Sequence, residues 1–453
     1  MGFKKLTSTV LIACMVFSLT ACGKSTSSSD ASKDTASQQT TTEKTDDSSK
    51  TDDSSKTESV ETIKIGWLAP LTGTSAENGQ QVTWAAEMIV DLINEEHADV
   101  NMLLAADAGL PNLNGAKIEL VKADTKGDTT VATSEAKRLI SEEGCVALTG
   151  QLTSGMSKAI SVITEQYEIP LVTAGSAVTL TDGSEDYDWL FRYNLTDATY
   201  IDDSFKLMDQ AKKAGTDIKT VAFLSEDSEF GANIVTVEVN KAKEYGYDVV
   251  ENMTYAANST SLSSEVIKLK KSNPDVLMVA GYATDVILLV KTMKDQDWFP
   301  KMMIGQRGGF ATSDFFTALG NDTEYIYSTG GWAPDLEKDC IQSLQKLYPT
   351  YSNGIEFNEG MSKDCADILM IAACINQAGS TDPKKIAEAL KAPNVDYSKI
   401  FMPWESITMN EFNQNVDATG VVMQVQNGSY VTVYPEGVAK TKAIFDAPSW
   451  SER

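Results

Sequence analysis

The chain has 453 residues, 42% of them hydrophobic, which is enough for two or three domains with cores of their own. Its formal net charge is −26 and it has one histidine, His97. That balance excludes the basic footprint of a nucleic-acid binder, and the ligand supply is too poor for zinc centres or Ser-His and Cys-His catalysis.

The first element is MGFKKLTSTVLIACMVFSLTAC, in which Lys4 and Lys5 precede an apolar run from Val10 to Leu19 and small residues before Cys22. Residues 1–21 therefore read as a secretory signal peptide. Leu19-Thr20-Ala21-Cys22 resembles the lipobox of bacterial lipoproteins, which would make Cys22 the lipidated first residue. Residues 22–60 are Ser, Thr, Asp, Lys, Gln and Glu with a tandem copy of TDDSSK. They carry too little apolar surface to offset ordering and read as a linker. Loss of Lys4 and Lys5 takes the mature charge from −26 to about −28, which makes anionic membrane surfaces poor partners and leaves the membrane reachable only through the lipid.

From residue 61 short apolar strands alternate with helices. Ile63 to Leu68 predicts a strand, and VTWAAEMIVDLINEE, with Trp84, Met88, Leu92 and Glu95 in register, predicts a helix with one apolar face. Strands near 117–121, 145–148 and 169–172 alternate with helices over 129–143 and 154–166. The rhythm restarts with helices near 200–214, 232–245, 262–271 and 285–294, and strands near 220–224, 248–253, 275–280, 302–305 and 325–328. A short helix follows Thr312. Three helices, near 337–349, 361–378 and 383–391, precede a hairpin turning at Asn427-Gly428. The fold class is α/β, with two Rossmann-like lobes built on parallel sheets. We assign residues 61–196 plus 331–400 to lobe 1 and 197–330 plus 401–453 to lobe 2.

Ligands of open α/β sheets bind beyond the C-terminal ends of the strands. That rule selects the loops 69–79, 149–157, 173–179, 225–230, 281–285 and 305–310, which come from both blocks and meet in the cleft between them. None carries a phosphate-binding glycine motif. They offer hydroxyls, main-chain amides and aromatics, which suit reversible capture of a small polar molecule. His97, in NEEHADVN, reads as solvated surface, and Glu359, Asp364 and Asp367 near a helix start read as solvated charge favoured by the helix dipole. Cys340 either bridges Cys365 or Cys374 or stays a free buried thiol with them.

Several stretches, namely IKIGWLAPLTGTSAENGQ, LPNLNGAKIELVKADTKGD, GQLTSG, IPLVTAGSAVTLT, FRYNLTDA, AFLSEDSEFG and PDVLMVAGY, together resemble the branched-chain amino-acid binding type of solute-binding proteins of ABC importers. The resemblance implies the type I periplasmic-binding-protein fold, with three crossings expected near Thr196, Thr329 and Phe401. It also implies capture of an amino acid or related small carboxylate by lobe closure, delivery to ABC permease subunits, no cofactor and no catalysis. Residue by residue it places the carboxylate on Ser154, main-chain and hydroxyl contacts on Ala174 and Ser176, cleft aromatics on Phe230 and Tyr282, and a first-loop contact on Asn78. Arg307 falls where the family has an acid that pairs with the ligand's ammonium. A ligand-facing Arg307 would repel that ammonium by several kcal/mol, at about 4 Å and an effective dielectric near 20, and so favours a carboxylate or other acceptor at that end. The other reading turns Arg307 outward to Asp285 or Asp314. A sensor domain that presents a metabolite to a membrane receptor is the alternative function, and a surface enzyme is the most remote.

Overall fold

The computed structural model describes residues 62–73 and 75–453. The signal segment, Cys22 and the linker lie outside the described residues. The first sheet has five parallel strands in the order β2-β1-β3-β4-β5: β1 (Thr62–Ala69), β2 (Lys117–Asp124), β3 (Ala147–Thr149), β4 (Leu171–Val172) and β5 (Leu190–Phe191). β1 lies inside the sheet, which is why Ile63, Ile65, Trp67 and Leu68 are all buried whichever face they point to. Helices α1 (Ala76–Asn94), α2 (Thr129–Ser141) and α3 (Ser154–Tyr167) connect these strands.

α1 departs from the one-faced helix that its spacing predicts. Val82, Ala85, Ala86, Met88, Ile89, Val90, Leu92 and Ile93 are all buried. The cause is distant in sequence: α9 (Asp339–Tyr351) and α10 (Glu359–Ala378) also pack on α1. α10 in turn packs on α11 (Pro383–Lys391). Helices from the C-terminal third thus complete the first lobe's core. Cys145, Cys340, Cys365 and Cys374 are free and buried, so the bridged arrangement is not the one found. His97 is only partly exposed, in the turn after α1.

The second sheet has seven strands in the order β12-β11-β10-β9-β8-β6-β7. They are β6 (Thr220–Glu226), β7 (Asp248–Tyr255), β8 (Val276–Ala280), β9 (Met302–Gly305), β10 (Tyr327–Gly330), β11 (Val421–Gln426) and β12 (Ser429–Tyr434). Strands β6 to β10 pair in parallel, and β11 and β12 are antiparallel additions at the β10 edge. The β11–β12 turn has positive φ at both Asn427 (57°) and Gly428 (83°), as a two-residue hairpin requires. Helices α4 (Asp197–Lys213), α5 (Glu229–Tyr245), α6 (Ser263–Ser272), α7 (Ala283–Asp295) and the short α8 (Ser313–Leu319) cover the faces. The chain passes from the first sheet to the second between Phe191 and Asp197, returns after Gly330, and passes again between Ile400 and Val421. Most apolar residues collect in clusters about one sheet or the other, and Val421 and Met423 of β11 join the largest cluster of the first lobe.

Candidate functional site

The C-terminal ends of the parallel strands in both lobes open onto one cavity of about 350 Å³. That volume falls in the range of small-molecule sites. Each of the six sequence-selected loops contributes to its lining, and so do three segments that were not selected: Thr125 and Gly127 after β2, Asn258 after β7, and the first turns of α10. The lobes touch around it. Ser313 donates to Gln81 Oε1 at 2.5 Å across the mouth, and the Cβ of Glu229 comes to 3.9 Å of where a side chain at Gly155 would begin.

Each lobe presents a strand end, a loop and a helix start to the cavity. In lobe 1 the loop after β1 is held by Asp124, whose Oδ1 accepts the N–H groups of Leu71, Thr72 and Lys126 and whose Oδ2 accepts the Thr72 hydroxyl. Burial opposes ionisation of Asp124, but these donors together keep its pKa below the usual range. The loop leads into α1, where Asn78 lines the cavity. At α3, Thr153 is the N-cap and its hydroxyl accepts the Met156 N–H at 3.3 Å. The first N–H groups of such a helix have no intrahelical acceptor and favour an anion. Leu152, Thr153 and Met156 line the cavity.

The seven residues singled out from the sequence divide into two layers. Asn78, Ala174 and Tyr282 line the cavity. Ser154, Ser176, Phe230 and Arg307 are buried behind it. Ser154 Oγ accepts the Ala177 N–H at 3.1 Å, which ties α3 to the loop after β4. Phe230 packs against Tyr282 with ring centroids 5.7 Å apart.

Arg307 does not turn outward, and it stands outside the cavity lining with its Nη1 unpartnered among the described residues. It is 1% exposed, and its Nη2 donates to Ser176 Oγ at 2.6 Å and to Asp197 Oδ1 at 2.7 Å. Its guanidinium lies 3.6 Å from the Tyr200 ring centroid and 5.5 Å from that of Phe230. Asp285 and Asp314 are not its partners: Asp285 accepts the N–H groups of Asn258 and Ser259. The backbone at Arg307 has φ 57° and ψ −127°, and Gly308 follows at φ 53°. A β-carbon at Gly308 would stand 2.5 Å from the Gly281 carbonyl oxygen, so glycine there lets the loop lie against the start of α7. Asp197 is the first residue of α4 and was not picked from the sequence. Its only signal was an acid at a helix start just after a crossing.

The acids of α10 also differ from expectation. Glu359, Asp364 and Asp367 are buried, not solvated, because α10 packs against α1 and α11 and its start lies against the other lobe's loop at Ala311. Glu359 and Asp364 line the cavity together with Lys363, and from the other elements so do Glu77, Glu226, Asp285 and Asp314. Glu226 Oε2 accepts the Tyr282 N–H at 3.2 Å, and Asp285 lies close enough to raise its pKa further. Burial, reinforced by Asp285 and opposed by the Tyr282 N–H, pushes Glu226 up to about 7. Burial likewise pushes Asp364 up to about 7, with Glu359 adding and Lys363 opposing. Asp314, facing Glu77 across the mouth, raises Glu77.

Among the described residues no group of three or more His, Cys, Asp or Glu is arranged to hold a metal ion, and no helix is long and apolar enough to cross a membrane. A family described as Periplasmic binding protein matches residues 62–429. A Leu/Ile/Val-binding protein homolog 7 of Brucella abortus is 28% identical over 394 residues, covering 83% of this chain and 92% of its own. A leucine binding protein LivK of Thermotoga maritima superposes with a TM-score of 0.68 at 20% identity, covering 82% of this chain and 97% of its own. A solute binding protein of an ABC transporter from R. palustris, solved with benzoate, superposes with a TM-score of 0.69 at 18% identity, covering 85% and 98%.

Proposed function

The chain belongs to the periplasmic binding protein family, and from that premise we propose that it is a solute-binding lipoprotein of an ABC importer, which encloses one small solute between its lobes and delivers it to the permease. The observation that carries this is a cavity lined from both lobes by strand-end loops. A closed cleft excludes water and fixes the solute, and closure gives a permease a form to distinguish from the open one. Cys22 would tether the domain to the outer face of the cell membrane, with residues 22–60 as the spacer. The solute class is an amino acid or related small carboxylate. Its carboxylate would meet the N-terminal turn of α3 and the loop of Ala174, with Ser154 tying the two together from behind and Ser176, on the same loop, bonded to Arg307. Tyr282, backed by Phe230, would close the other side.

Ala174 lines the cavity and carries only a methyl group, so a bulky side chain there should fill the space meant for solute. The full chain, purified from cells and denatured, is expected to release one small molecule at near-equimolar amount, identified by mass spectrometry. Ala174→Trp is expected to release less than about a tenth of it, with thermal stability kept within a few degrees. Equal release from the variant, or turnover of the released molecule by the wild type, would remove the binding-only reading.

A further inference from the structure

We infer that the cleft selects a solute of net positive charge, an amino acid carrying a second amine or guanidine group, over neutral aliphatic and acidic ones. The inference rests on the solute-binding reading above and concerns the charge of the solute. Six carboxyl groups line the cavity, Glu77, Glu226, Asp285, Asp314, Glu359 and Asp364, against one ammonium, Lys363. Lys363 Nζ is 3.7 Å from Glu359 Oε1 and offsets at most part of this excess. Arg307 is not part of the lining, and its Nη2 pairs with Asp197.

A cluster of acids at a helix start is ordinarily explained by the helix dipole. Here two of them are left incomplete. Glu359 and Asp364 are 3% and 2% exposed and line the cavity. Glu359 Oε1 accepts the Gly331 N–H at 3.2 Å, but Glu359 Oε2 and Asp364 Oδ1 have no hydrogen-bond partner among the described residues. Buried carboxyl oxygens of this kind cost free energy until a donor reaches them. A neutral side chain brings no donor, and an acidic one adds to the repulsion. An ammonium or guanidinium brings several donors and a charge.

The test is equilibrium dialysis of the full chain, stripped of solute by unfolding and refolding, with L-lysine, L-leucine and L-glutamate as probes. L-lysine is expected to bind at least tenfold more tightly than either of the others. Asp364→Asn is expected to weaken lysine binding about ten- to a hundredfold, the range for a hydrogen bond to a charged group. The double variant Glu77→Gln, Asp314→Asn changes only the mouth, where folding is not at stake, and is expected to weaken lysine several-fold while sparing leucine. Leucine or glutamate binding as tightly as lysine would overturn the inference and leave solute capture standing. Unchanged lysine affinity in both variants would overturn it too. So would failure of all three probes, in which case the solute released on denaturation decides separately whether capture stands.

Discussion

Replacing Arg307 with alanine is expected to cost about 3–5 kcal/mol of unfolding free energy, measured by urea denaturation of the full chain. The size follows from what is left behind. Asp197 is 0% exposed, and its Oδ1 relies on Arg307 while its Oδ2 has no partner among the described residues. Without the guanidinium a carboxylate is buried without a counter-charge, and the stacking on Tyr200 at 3.6 Å is lost with it. The helix dipole at the start of α4 offsets a part, which places the expected value toward the lower end. Arg307→Lys should recover only some of the loss, because an ammonium cannot lie flat on the ring. A double variant, Arg307→Met with Asp197→Ser, should be more stable than Arg307→Ala, since no charge then stays unpaired. A loss below about 1 kcal/mol for Arg307→Ala would show that the pair does not hold this corner of the cleft. Because Ser176 is on lobe 1 and Arg307 on lobe 2, the bond between them also links the lobes.

The second large effect concerns two glycines at matching places in the two lobes. Gly79 is the fourth residue of α1, and a β-carbon there would stand 2.0 Å from the Pro70 carbonyl oxygen, one residue beyond β1. Gly231 is the third residue of α5, and its β-carbon would stand 1.9 Å from the carbonyl oxygen of Glu226, the last residue of β6. Neither has a positive φ, so what forbids a side chain is the close approach of helix to strand end. Helix propensity alone would make Ala more stable than Gly by about 0.5–1 kcal/mol. Overpacking against a backbone carbonyl should reverse the sign and leave Gly79→Ala and Gly231→Ala each about 1–3 kcal/mol less stable. Asn78 and Phe230 directly precede these glycines, so both variants should also bind solute more weakly. Stabilisation of either variant would mean that the helix start can shift, and would remove the argument for a rigid binding loop.

The alternating pattern of apolar runs and helical spacing made most of the fold legible, and β9 was read at its observed limits, Met302–Gly305. Strands as short as β5, two residues at Leu190–Phe191, leave no periodicity to read. β10 was placed two residues early because Tyr325, with φ 69°, turns the chain before the strand begins. The loops around the cavity were legible because strand direction decides where loops gather. The layering within them was not. Whether Arg307 points into a cavity or behind it depends on Asp197, 110 positions away in the chain, and nothing in IGQRGGF records that partner. The α10 acids were misread for the same reason: EGMSKDCAD has the composition of an exposed helix start, and its burial is imposed by α1 and by the opposite lobe.

The central claim is that the lobes close on one solute held between them. The direct measurement is the distance between spin labels on the two rims, at Thr129→Cys and Ala257→Cys, both exposed positions. The four described native cysteines are buried and offer little to the label. In protein stripped of solute, adding back the molecule released on denaturation is expected to shorten and sharpen the distance distribution. The Ala174→Trp form should stay at the stripped distance. A distribution that does not change when the solute binds would contradict capture by closure.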